Sequence, residues 1–188
     1  MSEILIRPAR IEDCPALGRI IVAATQDAFR GLVPDLCLEW LTPEESAANW
    51  AKNFQSEQSL APGDFLFVAE TKRHRVIGFA MLCELSADNE QDSHNLKAFS
   101  HDLASLQVDP TWQRQGVGRR LLSHVAGQMW SEGATHLLVR VLAENPNRGF
   151  YEHLGALQLG SRPYEWEGYM TEEILYGWDD MHGLRNTI

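Results

Sequence analysis

The run Gln113-Arg114-Gln115-Gly116-Val117-Gly118-Arg119-Arg120 carries the densest chemistry in this chain. It stands between a strand pattern, Leu103 to Val108 closed by Asp109-Pro110, and a helical pattern from Gly116 to Ser131 with Val117, Leu121, Leu122, Val125 and Met129 on one side. Glycines at a helix start leave backbone N–H groups uncovered at the positive end of the helix dipole, and an anion can approach there without meeting a Cβ. Arg114, Arg119 and Arg120 add full charges, so the run reads as an anion site, with a tight turn and solvated arginines as the alternative. The G-x-x-x-x-G-K-S/T nucleotide loop is absent. The dinucleotide fingerprint needs a third glycine where Leu121 stands. The histidines show neither H-E-x-x-H nor a close carboxylate pairing, and no metal site is expected.

A second block lies downstream, Asn145-Pro146-Asn147-Arg148-Gly149-Phe150-Tyr151-Glu152-His153-Leu154-Gly155-Ala156. Together the two resemble the GNAT family of N-acetyltransferases. That family's pyrophosphate signature is R/Q-x-x-G-x-G/A after a strand ending V-x-P, matched here by Gln113-x-x-Gly116-x-Gly118 and Val108-Asp109-Pro110. The downstream block looks like the family's N-P-x-x-x-F-Y-E-x-L-G-G/A. The likeness is close over residues 99–178. Over residues 1–98 it is looser and rests on Ile6, Arg7, Ala9 and Asp13 and on Phe29-Arg30-Gly31.

The resemblance implies acetyl transfer from acetyl-CoA to a primary amine of a small molecule. The backbone of Leu106, Gln107 and Val108 would pair with the pantetheine arm and the acetyl carbonyl. Gln113, Arg114, Gln115, Gly116, Val117, Gly118 and Arg119 would hold the pyrophosphate, with Arg120 and Arg148 nearby. Asn145 would cap the following helix, hold the cofactor amide, or do both. Tyr151 would protonate the leaving thiolate, which departs more readily with such a donor because a thiol has a pKa of ~8.5. The bland reading makes Phe150, Tyr151 and Leu154 the apolar face of a short helix. Asp102 takes the position of a general base, with Glu84 as second choice and a solvated loop carboxylate as the alternative for Asp102. Some members carry an acid in the strand before the asparagine block, where this chain has Leu138-Val139-Arg140-Val141; that departure speaks against a ribosomal-protein or peptide α-amine acceptor. An acyltransferase using another acyl-CoA, or a non-catalytic CoA-binding sensor of the same fold, would present the same motifs.

These residues need a frame to position them. Residues 3–8 read as a strand, Asp13 opens a helix, and Thr42-Pro43-Glu44-Glu45 opens another through about Phe54. Phe65–Thr71 and Val76–Glu84 form a hairpin pattern, and residues 86–95 a polar excursion. His136–Leu142 follows as a strand, Asn145–Leu154 as a short helix, and 157–161 and 167–178 as a last pair of strands. Strands alternating with helices and hairpins give an α/β (α+β mixed) class, and the resemblance sharpens it to one GNAT-like domain over 1–180, a mixed sheet splayed like a V and flanked by helices, with 181–188 as a tail.

Composition agrees. With 188 residues and 44% hydrophobic content the chain can bury one sizeable core. Its longest apolar run, Val76 to Cys83, is far short of the roughly 20 residues that span a bilayer, and no secretory signal is visible, so a cytoplasmic protein without membrane partners is expected. The net charge of −10 argues against nucleic acid and suits a cationic substrate. The three cysteines are odd in number and widely spaced, so they read as reduced and mostly buried, Cys83 above all. Trp40, Trp50 and Trp166 read as packing residues or cavity walls. Small members of the family often pair, which leaves a homodimer open.

Overall fold

A computed structural model describes residues 3–55, 60, 63–85 and 96–185. The elements run β1 (Ile4–Pro8), α1 (Cys14–Phe29), α2 (Leu36–Glu39), α3 (Pro43–Gln55), β2 (Phe65–Thr71), β3 (Val76–Glu84), β4 (His101–Val108), α4 (Val117–Ser131), β5 (Leu137–Leu142), α5 (Gly149–His153), β6 (Leu157–Trp166), β7 (Tyr169–Trp178) and α6 (His182–Arg185). The polar excursion 86–95 lies outside the described residues. Among the described residues the strands form one mixed sheet in the order β1-β2-β3-β4-β5-β7-β6, in which only β4 and β5 pair in parallel.

Both faces of the sheet are covered, which is why β2 and β3 read as nearly continuous apolar runs rather than alternating ones. On one face α4 buries Val117, Leu121, Leu122, Val125 and Met129 against Phe67, Ile77, Ala80, Leu82 and Leu103. On the other, Leu17 and Ile20 of α1 meet Leu66, Val68 and Phe79, with Trp50 of α3 edge-on to Phe79 at 5.5 Å. The two helices approach each other at Gly18, where a Cβ would lie 2.3 Å from the carbonyl oxygen of Pro43. Only glycine fits that contact.

The sheet splits between β4 and β5. Their pairing is limited to His101 with Leu137 and Asp102 with Leu138, and beyond those two rows the strands diverge into the V. On its other side β4 stays paired to β3 down to Val108 opposite Gly78, with one irregularity: Met81 faces Ser105 and Leu82 faces Leu103, leaving Ala104 as the extra residue of a bulge.

Three elements differ from the sequence expectation. The short helix α2 forms because Cys37 and Leu38 bury beneath the β6–β7 hairpin, where Cys37 Sγ lies 3.4 Å from the Trp166 carbonyl oxygen and the Phe29 and Trp166 rings meet edge-on at 5.3 Å. The helix expected over 145–154 is shorter, since Asn145 forms a side-chain turn instead of the first helical residue. Strand β6 runs five residues beyond the expected 157–161, while β7 begins two residues later than the expected 167, and the two turn through Glu167-Gly168, both left-handed, the geometry a tight two-residue hairpin requires. Beyond β7, Met181 and Leu184 pack into the core beside α4. Trp40 is about half exposed and makes neither packing nor cavity wall a good description. Cys14 and Cys37 are buried and Cys83 half-buried, all as free thiols.

Candidate active site

The fork and the helix start after it form one continuous feature. A strand's backbone groups alternate between its two neighbours, and from Leu103 onward β4 has a neighbour only on the β3 side. Leu106, Gln107 and Val108 are held flat by Ala80, Phe79 and Gly78, with half their backbone groups directed into the V. One of the available carbonyls is used internally: Gln113 Nε2 donates to Val108 O at 3.2 Å.

The turn that follows is heavily braced. Asp109 is buried and its Oδ1 accepts from Thr111 N at 3.0 Å and Thr111 Oγ1 at 2.6 Å, while its Oδ2 takes Arg19 from α1 at 2.8 Å and Arg75 from the β2–β3 turn at 2.9 Å. Burial would raise the Asp109 pKa; these bonds outweigh it and lower it to about 2. Gln115 Nε2 bonds Thr111 O at 3.0 Å. Arg114 and Gly116 both have positive φ, 59° and 81°, and that local reversal turns successive amides toward one concavity. Gly116 caps α4 without a side-chain bond, and the first helical bond is Arg120 N to Gly116 O at 3.1 Å, so the amides of Val117, Gly118 and Arg119 have no helical acceptor. Such a start can receive a phosphate. Arg119 also borders a cavity of about 350 Å³ walled by His153, Leu154 and Trp178.

Gly118 links this helix start to α5, for a Cβ there would stand 3.5 Å from the Phe150 ring, an ordinary contact. The next residue, Tyr151, is half-buried against the α4 core. Its ring lies 5.3 Å from Phe150, 6.4 Å from Tyr176 and 6.2 Å from Trp178. Tyr176 OH donates to Glu152 Oε1 at 2.6 Å and Trp178 Nε1 to Leu154 O at 2.9 Å, so the aromatic surround is itself anchored. Desolvation, with a smaller contribution from the Asp102 charge, pushes the Tyr151 phenol well above its ordinary range. It stays protonated at physiological pH and so keeps a proton to donate. Asn145 accepts from Asn147 N through Oδ1 at 2.8 Å, while Arg148 occupies the cap position of α5. The helix-capping alternative for Asn145 is therefore replaced by a turn two residues long, which leaves its amide nitrogen to donate.

Asp102 stands at the point of the V, in one row with Cys83 and Leu138. It is buried rather than a solvated loop carboxylate, and Oδ2 is ion-paired with Arg140 of β5. Its Oδ1 is buried with no hydrogen-bond partner among the described residues. Desolvation raises its pKa to about 6, against the opposing pull of Arg140. Glu84, the second choice, is exposed at the end of β3. Arg140 was legible only as a departure from a pattern; an arginine in the otherwise apolar Leu137–Leu142 strand is the signal that a buried anion lies opposite. Among the described residues no group of three His, Cys, Asp or Glu could hold a metal ion, and no helix is long and apolar enough to cross a membrane.

A split mixed sheet whose central strand runs into a bare, glycine-marked helix start defines an acyl-transfer fold of the GNAT type, and the comparisons with known proteins agree. Residues 62–155 match the acetyltransferase (GNAT) domain model. The chain belongs to the GNAT family and is an N-acetyltransferase. It is 24% identical to the uncharacterized N-acetyltransferase YuaI of Bacillus subtilis over 98% of both chains. A shorter stretch, 28% of this chain and 36% of the relative, is 41% identical to the ribosomal protein bS18-alanine N-acetyltransferase of Escherichia coli. In fold it is similar to the PaiA N-acetyltransferase of Thermoplasma acidophilum, solved with coenzyme A, at TM-score 0.71 and 17% identity, covering 94% of this chain and 98% of that one.

Proposed function

We propose that the chain transfers the acetyl group of acetyl-CoA to the primary amine of a small molecule. The observation that carries this reading is the series of open backbone groups, first along β4 inside the fork and then at the start of α4. A chain of alternating donors and acceptors leading to an anion-binding turn suits a thioester tethered to a pyrophosphate.

In this reading Leu106, Gln107 and Val108 align the pantetheine arm. The amides of Arg114 through Arg119, backed by Gln113 and Gln115, receive the pyrophosphate, and the Asn145 amide nitrogen donates to the cofactor. The acceptor enters on the face of Asp102. Its ammonium gives a proton to Asp102 Oδ1 and the free amine attacks the acetyl carbon. The tetrahedral intermediate collapses as the C–S bond breaks: Tyr151 donates its proton to the departing sulfur, and the nitrogen, on becoming an amide, releases its second proton, which restores the phenol. Positioning of two substrates and backbone hydrogen bonds to the acyl oxygen supply most of the acceleration.

The test is release of the CoA thiol from acetyl-CoA across a panel of small amines, amino acids and aminoglycosides, repeated with longer acyl-CoAs. Amine-dependent release with acetyl-CoA supports the proposal, and a preference for a longer chain changes the acyl group. Silence across the panel with CoA binding intact supports a sensor instead.

A further inference from the structure

Arg140 and Asp102 form an ion pair that spans the opening of the V. Arg140 lies two residues beyond the last β4–β5 row, on the same sheet face as Leu138 and therefore as Asp102. Both side chains are largely buried, at 19% and 12% exposure. Only one carboxylate oxygen is engaged. The other, Oδ1, is buried and has no hydrogen-bond partner among the described residues, an expensive state for a carboxylate oxygen unless a donor arrives from elsewhere.

We infer that Arg140 is a positioning residue for acetyl transfer, its guanidinium holding Asp102 Oδ2 so that Oδ1 is presented, ionised, to the acceptor ammonium. The inference rests on the reading of Asp102 as general base and extends it to the group that controls that base. Of the ammonium's three protons one passes to Oδ1 and from there to solvent after product leaves, one stays on the amide nitrogen, and the one lost as the tetrahedral intermediate collapses replaces the proton that Tyr151 gives to the sulfur.

The other charges around Asp102 do not replace Arg140. Arg162 of β6 is engaged by Glu173 of β7 at 2.7 Å, and Glu173 itself disfavours a second anion nearby. Cys83 of β3 and Tyr151 of α5 face Asp102 as neutral groups whose own ionisation its charge opposes. Arg140 is the strongest influence favouring the carboxylate form against burial. Without it burial acts on the carboxyl against a weaker opposing charge, so the carboxyl holds its proton to higher pH, and a protonated carboxyl cannot take a proton from an ammonium. A purely structural role, pinning the sheet at the root of the fork, would leave the acid limb of the reaction where it is, although losing the guanidinium charge shifts the carboxyl's own titration.

The two roles separate in the pH dependence. The acid limb of kcat/KM, with saturating acetyl-CoA and a primary alkylamine as acceptor, is compared in the unmodified chain, Arg140→Gln and Arg140→Lys. The limb is expected to rise by about one pH unit or more in Arg140→Gln, the scale of an adjacent opposite charge, and by less in Arg140→Lys, which keeps the charge without the planar fork. The Asp102 carboxyl, followed by carbon-13 NMR without any acceptor, should move with it. If Arg140→Gln does not fold, Arg140→Lys alone gives the reading. An acid limb unmoved in a folded variant overturns the inference, whether or not the carboxyl's own titration moves. An acid limb that persists in Asp102→Asn overturns the base reading instead, while the NMR titration still reports whether Arg140 governs the carboxyl.

Discussion

Gln113 reaches back to Val108, its Nε2 donating to the carbonyl oxygen 3.2 Å away, and this bond fastens the turn before α4 to the end of β4. The bond explains why a residue with a side-chain amide serves at the head of the turn. It satisfies a carbonyl at the open edge of β4 and brings the chain round so that Arg114 can enter the left-handed region, from which Gly116 completes the reversal into α4. The strand that lies along the fork and the bare start of α4 are thereby one rigid unit.

That unit predicts two separable glycine effects. Gly118→Asp places a negative charge where the pyrophosphate is proposed to lie, while its Cβ meets Phe150 only at ordinary contact distance. CoA binding measured by calorimetry should be lost while thermal unfolding changes little, and Gly118→Ala should retain both. Gly116→Ala has space for its Cβ but keeps φ at 81°, so it should cost roughly 1–2 kcal/mol of stability. Undiminished CoA affinity in Gly118→Asp would remove the turn from the binding site.

For Tyr151 the proposed role and the packing role differ by one oxygen. Tyr151→Phe keeps the ring contacts to Phe150, Tyr176 and Trp178 and removes the hydroxyl. A fall in kcat of ~10-fold or more, with acetyl-CoA binding unchanged, is the expected result. A kcat equal to that of the unmodified enzyme would assign the residue to the core alone.

Much of this architecture was legible because local patterns and the global fold agree. The 3.6-residue spacing of Val117, Leu121 and Val125 located α4, and the glycines before it marked its bare start. What escaped was set by distant contacts. α2 is four residues long, too short for a periodic signal, and exists because Cys37 and Leu38 find Trp166 more than a hundred residues later. The Asp102–Arg140 pair joins strands separated by α4, and nothing local to either residue names the other. Asp102 therefore read as a candidate from its position while its burial stayed hidden. The β6 arm is largely exposed at the sheet edge and carries Gly160 and Pro163, which weaken the strand pattern that β7 displays clearly.

Acid stability should reflect Asp109. Its pKa in the folded chain, about 2, lies below the ordinary 3.8, so the unfolded chain binds the proton more tightly. The stabilisation is complete above about pH 4 and disappears as pH falls toward 2. From the size of the shift it amounts to roughly 2 kcal/mol. Asp109→Asn should lower the unfolding free energy at pH 7 by about that amount and reduce the loss between pH 4 and 2, read from urea titrations at each pH. An unmodified acid limb of stability in Asp109→Asn would show that other carboxylates carry it.

The acceptor's charge follows from where the positive side chains are already committed. Arg7 is held by Asp13 and Glu70, Arg19 and Arg75 by Asp109, Arg140 by Asp102 and Arg162 by Glu173. Arg114, Arg119 and Arg120 sit at the turn proposed to hold the phosphate, and on the β5–β7 side of the fork Glu144 accepts from the Tyr169 and Thr171 hydroxyls, so in a chain of net charge −10 the acceptor side is expected to be negative. A cationic amine is drawn to such a surface. Its kcat/KM should fall as salt rises, since the screening length is already down to about 10 Å at 0.1 M, and should rise with pH as the ammonium deprotonates. Asp102→Asn should lower the rate most near neutral pH, where the amine needs help losing its proton, and least at high pH, where free amine is abundant. Preference for an anionic acceptor would overturn the charge assignment, and a uniform rate loss at every pH in Asp102→Asn would reduce that carboxylate to a structural partner of Arg140.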